Sequence, residues 1–157
     1  MMALPAWAQG WSPEALQLPE LLSFDDQEVL ASVVDTIIPQ GDAIGALSVG
    51  VDKFLHKLLA DCYEPEIQGN VKVQLQALND TALSSYNQAF AACSQEEREL
   101  LLLSMADSEY GSQKDFFELM KGETIRGFRT SREVLMKYYD YKPAPGHFYG
   151  CVTINPA

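Results

Sequence analysis

Between Val51 and Cys62, the apolar residues Val51, Phe54, Leu55, Leu58, Leu59 and Cys62 fall at i, i+3, i+4, i+7, i+8 and i+11. That spacing lines one face of an α-helix and does not fit the two-residue period of a half-buried strand. The same period recurs along the chain. Leu30, Val33, Val34, Ile37 and Ile38 form a stripe on a helix expected over residues 24–38. Ser23 is its N-cap, with Asp26 three residues on, and Pro39 ends it. Pro65 opens a third helix, interrupted near Gly69 and Asn70. In it Val71, Leu75, Leu78, Ala82, Tyr86 and Phe90 keep the period to about Ala92. Ser94 to Glu97 is a capping box, and the helix it starts carries Leu100, Leu101, Leu102, Leu103, Met105 and Ala106. A helix apolar nearly all round is either central, or touches the core on one side and a partner on the other. Ser112 caps a helix from Gln113 on which Phe116, Phe117, Met120, Thr124 and Phe128 make one face. Gly127 and Ser131 punctuate it, and Ser131 caps a short helix with Val134, Leu135, Tyr138 and Tyr139. No strand alternation of useful length and no internal repeat appears. The class is therefore all-α: one domain of five or six helices over residues 12–140.

A chain of 157 residues is one domain on length. At that size about 68–70% of the unfolded surface is buried, so no disulfide is needed for a core. The 22 acidic against 11 basic residues give a net charge of −11. That argues against nucleic acid, whose phosphates call for clustered Lys and Arg. No run of apolar residues is long enough to span a membrane.

The two ends differ from the middle. In residues 1–11, MMALPAWAQGW, Ala6-Trp7-Ala8 before Gln9 has the small-x-small form of a signal-peptidase site. The first basic residue is Lys53, so no positive n-region precedes it. The stretch reads as the remnant of an export signal, with the mature protein starting near Gln9. Ser12, Pro13 and Glu14 start at most a turn of helix, ended by Pro19. At the other end Pro143, Pro145 and Gly146 stop helix formation, and Phe148, Tyr149, Cys151, Val152 and Ile154 follow in an irregular tail over residues 141–157. Six of the sixteen aromatics lie between Phe128 and Tyr149, so this end must lie on its own domain or on another protein. Phe128, Tyr138, Tyr139, Tyr141, His147, Phe148, Tyr149 and Cys151 are the candidate partner interface.

No catalytic or metal constellation is visible. There is no nucleophile elbow, no HExxH, no CxxC and no phosphate loop, and the Gly41–Gly45 loop lacks GxGxxG and a following Lys-Ser/Thr. His56 lies off the apolar stripe of its helix and is expected at the surface. Asp25, Asp26, Glu28, Glu96 and Glu97 sit in first turns and complement helix dipoles. Arg126, Arg129 and Arg132 recur every three residues, either as a solvated face or facing an acidic partner. Cys62, Cys93 and Cys151 are an odd set: a Cys62–Cys93 bridge would leave Cys151 over, or all three are reduced and buried.

The order of parts is specific beyond this. A helix ends on Gly127-Phe128, Thr130-Ser131 follows, then a short Tyr-ended helix, Pro145-Gly146, and Tyr149-Gly150-Cys151. Upstream, residues 22–59 show a helix ending in Ile-Ile-Pro, a Gly/Ala-rich loop and a second helix opening on Gly-Val. Together these resemble the gluconate 2-dehydrogenase subunit 3 family. The resemblance implies a non-catalytic small subunit of an exported, periplasmic complex. Its large partner would be a glucose-methanol-choline-type oxidoreductase that holds FAD and oxidises a sugar, sugar acid or glucoside, with a cytochrome c often taking the electrons. The small subunit itself would hold no cofactor, and would support folding, export and assembly of the flavin subunit. Members often carry a twin-arginine signal, and no Arg-Arg occurs here. Two readings outside the resemblance stay open: a free-standing helical enzyme, and a helical adaptor unconnected with redox chemistry.

Overall fold

Ser23 sets the start of the helical domain in the computed structural model, which describes residues 21–142, 144 and 146. Its hydroxyl accepts from the Asp26 backbone N–H, while the Asp26 carboxylate accepts from the Ser23 N–H, closing the capping box. From there α1 runs Phe24–Ile37, and α2 (Val51–Cys62) follows after a loop and a 3-10 turn at Leu47–Val49. α3 (Pro65–Tyr86), a 3-10 turn at Phe90–Ala92, α4 (Gln95–Ala106), α5 (Gly111–Thr130) and α6 (Arg132–Tyr138) complete the domain. No strand occurs among the described residues, and the all-α class holds.

α1 and α5 form the centre. Each packs against α2, α3 and α4 as well as against the other, and α6 rests on α5. Val29, Leu30, Val33 and Val34 of α1 meet Leu55 and Leu59 of α2, Val71, Leu75 and Leu78 of α3, and Phe116 and Met120 of α5 in one cluster of buried side chains. Each such residue contributes about 1.5–3 kcal/mol by burial. Polar ties fix the ends. Gln95 Nε2 donates to the Thr36 carbonyl at 3.0 Å, and Arg98 pairs with Asp35 at 3.0 Å, locking α4 to the end of α1. Gln68 Nε2 donates to the carbonyls of Leu59 (2.9 Å), Ala60 (3.2 Å) and Tyr63 (2.9 Å), which a helix end leaves without partners.

Several expectations need correction. The buried face of α2 is Val51, Leu55, His56 and Leu59, whereas Phe54 and Cys62 are exposed and Leu58 is half-buried. The face has rolled about 55° toward His56, because α2 wedges between α1 and α5 rather than lying flat on one of them. His56 is accordingly 4% exposed, not a surface residue. α3 is not interrupted at Gly69 and Asn70 but runs through them, and it ends at Tyr86 rather than Ala92. Asn87 takes the left-handed C-cap conformation (φ 55°), a position its short polar side chain tolerates. Phe90 keeps its buried place through the 3-10 turn, whose first N–H donates to Asn79 Oδ1 at 3.0 Å. α5 starts at Gly111, one residue before Ser112, and has no side-chain cap. Gly127 does not break α5. Nor is the all-round apolar α4 central: it buries Leu101, Leu102 and Met105 and exposes Leu100 and Leu103. Cys93 is buried and Cys62 exposed, both as free thiols, so neither the Cys62–Cys93 bridge nor burial of all three cysteines describes them.

Candidate partner-binding surface

Ser131 builds the corner between α5 and α6. It is the C-cap of α5 and the N-cap of α6. Its extended backbone (φ −64°, ψ 145°) turns the chain, its hydroxyl donates to the Phe128 carbonyl at 2.8 Å, and it accepts from the Val134 N–H at 3.4 Å. Within the seven residues of α6 only Val134 is fully buried. One anchor leaves most of the helix outside. Met136, Tyr138, Tyr139 and Tyr141 are 55%, 50%, 60% and 52% exposed. Asp140, at φ 45°, turns the chain back so that Tyr141 N–H donates to the Leu135 carbonyl at 3.1 Å.

Between α5 and α6 lies an open groove of about 390 Å³, lined by Ile125, Arg126, Arg129, Thr130, Leu135 and Tyr139 above Gly122. Its apolar walls and two guanidinium groups suit an amphipathic protein segment. Arg126 is held in place on α5: it forms an ion pair with Glu123 and lies over the Phe54 ring at 6.0 Å. Tyr63 OH donates to Glu123 Oε1 at 3.1 Å. Partial burial, the bond to Glu123 and the charge of that carboxylate together push the Tyr63 phenol above its ordinary pKa. A larger groove, about 510 Å³, lies between the first turns of α3 and α5 and carries Glu66 and Asp115. Asn70 Nδ2 donates across to the Ser112 carbonyl at 3.0 Å.

Of the residues expected at an interface, Tyr138, Tyr139 and Tyr141 stand together on this exposed edge, and Phe128 is half-buried against the core. His147, Phe148, Tyr149 and Cys151 lie outside the described residues, as do the N-terminal stretch with Ala6-Trp7-Ala8 and the turn at Ser12. Ile125, Leu135 and Met136 were not anticipated. A signal for the groove was present: Gly122, Ile125, Arg126 and Arg129 fall at i, i+3, i+4 and i+7, a second stripe on α5 away from Phe116, Met120 and Thr124. No group of three or more His, Cys, Asp or Glu side chains is placed to hold a metal ion among the described residues.

Over residues 25–146 the chain matches the family of gluconate 2-dehydrogenase subunit 3. It belongs to that family. No curated protein and no solved structure matches it. The subunit's match takes in α3 and α4, where the sequence alone offered no family motif, and it ends at Gly146, before Tyr149-Gly150-Cys151. The family is that of a subunit in a dehydrogenase complex, and the exposed aromatic edge of α6 lies within the matched span. No helix among the described residues is long and apolar enough to cross a membrane.

Proposed function

We propose that this protein is the non-catalytic small subunit of a periplasmic, FAD-dependent sugar dehydrogenase. The large subunit, of the glucose-methanol-choline type, holds the FAD and oxidises a sugar acid such as gluconate, or a glucoside. The small one supports its folding, export and assembly, and a cytochrome c accepts the electrons. Membership of the subunit 3 family carries the reading. The α6 edge supports it: Met136, Tyr138, Tyr139 and Tyr141 present amphipathic aromatic area of the kind that fills interface cores. The residues from Tyr141 onward continue that contact on the large subunit.

The test is affinity isolation of the tagged full-length chain from the periplasm of its native host. Mass spectrometry of the bound protein and its flavin spectrum identify the partner. A flavin dehydrogenase in equal amount is the expected result. On its own the small subunit is expected to be colourless. Retention of a flavin or haem by the isolated chain, or sugar oxidation without a partner, would instead favour a free-standing enzyme.

A further inference from the structure

We propose that the groove between α5 and α6 receives an acidic segment of the dehydrogenase partner. Carboxylates of that segment sit on Arg129 and Arg126, and its apolar side chains sit on Ile125, Leu135 and Tyr139. The inference rests on the subunit reading above and deepens it, because it names the chemistry of the surface the partner presents.

Charge segregation is the main observation. Residues 121–142 contain six of the eleven basic side chains and three of the 22 acidic ones, a net +3, while the rest of the chain carries −14. An acidic partner is repelled by most of this molecule and attracted to one end of it. Long-range charge thus selects both where and in what orientation docking occurs. The groove lies within that basic end.

The two arginines are prepared differently. Arg126 is fixed by Glu123 and by the Phe54 ring, and Glu123 is itself held by Tyr63. Its rotamer freedom is already reduced before a partner arrives, which lowers the entropy lost on binding. Arg129, one turn on, is exposed and has no ion-pair partner within 4.0 Å among the described residues. Its planar fork is therefore available for a two-point contact with a carboxylate. No Asp or Glu follows Asp140 in the sequence, so no acidic side chain of the remaining tail can answer these arginines.

The probe is the flavin-bearing dehydrogenase subunit that co-purifies with this chain, dissociated and rebound to full-length variants. Arg129→Glu and Lys114→Glu change net charge equally, but Lys114 is exposed near the opposite end of α5. Wild-type binding should weaken roughly tenfold as salt rises from about 50 to about 500 mM. Arg129→Glu should lose about tenfold or more at low salt and flatten the salt response, with Lys114→Glu staying within about twofold of wild type. Arg129→Lys should fall between, because it keeps the charge and loses the fork. Equal losses in Arg129→Glu and Lys114→Glu overturn the inference. Salt-insensitive wild-type binding also overturns it, since the groove would then take an uncharged segment, such as the chain's own residues 147–157. A self-dimer of the free chain that Arg129→Glu dissolves overturns it in favour of a second copy. A wild-type chain that captures no flavoprotein removes the subunit reading and this inference together, whereas a complex indifferent to Arg129→Glu removes this inference alone.

Discussion

Gly127 and Gly122 lie five residues apart on α5 and do opposite things. A Cβ at Gly127 would stand 2.7 Å from Phe54 Cδ1 and 3.3 Å from Val51 Cγ1, so the absent side chain is what lets α2 and α5 approach. At Gly122 a Cβ meets nothing within 4 Å. Gly127→Ala should therefore destabilise by about 1–3 kcal/mol through overpacking, moderated by the half-exposed Phe54 ring. Gly122→Ala should stabilise by about 0.5–1 kcal/mol through helix propensity alone. Chemical denaturation of both variants checks the pair, and a neutral Gly127→Ala would show that the crossing has slack. Cys93 is the other telling residue. Burial, assisted by the nearby Glu97 carboxylate, raises its thiol pKa above the ordinary value. The folded state thus favours the neutral thiol. Its contribution is complete below the pKa of the unfolded thiol and is lost as pH rises through the folded value. Melting temperature should fall above about pH 9, and less steeply in Cys93→Ala. In a Cys151→Ser background, a thiol reagent at neutral pH should label Cys62 quickly and Cys93 only on unfolding.

Among the helices, α6 is the least self-sufficient. Seven residues are too few for a helix to persist alone, so α6 depends on its Ser131 cap and the Val134 anchor. Ser131→Ala removes an N-cap acceptor and a bond to the end of α5. It should cost about 0.5–2 kcal/mol. The loss should appear as faster amide exchange in residues 132–138, with α1 to α4 unchanged. Uniform acceleration across the molecule would mean that α6 is part of the global unit. A helix held at one point is suited to an interface, because its outer face is free to be covered without disturbing the core.

At the scale of the whole molecule, a strongly acidic helical body ends in a basic corner with an aromatic edge. Truncation after Asp140 removes Tyr141, Lys142 and the residues that follow, among which there is no Asp, Glu, Lys or Arg, and leaves every described helix in place. The truncated chain should keep its helical circular dichroism and a melting temperature close to that of the full chain, yet lose most of its affinity for the dehydrogenase partner. A large drop in melting temperature would instead assign residues 141–157 to this domain's own core.

The period and the caps were enough, without any tertiary information, to establish an all-α chain and where α1, α3, α4 and α6 start, whereas α5, expected to be capped by Ser112, begins at Gly111 without a side-chain cap. Hydrophobic spacing and side-chain capping act within a few residues, and the boxes at Ser23 and Ser94 and the cap at Ser131 formed as their spacing requires. The order of motifs over residues 22–59 and 127–151 also marked the family, which the match over residues 25–146 shows. Which side of each helix faces inward was decided by packing. The roll of α2 buried His56 and exposed Phe54 because two neighbours, not one, press on that helix. The passage of α3 through Gly69 reflects tertiary contact overriding a weak local penalty. The α5–α6 groove depended on the same logic. Ile125 and Arg129 become walls of one cleft only when the turn at Ser131 brings Leu135 and Tyr139 beside them, and a sequence pattern carries no information on that distance.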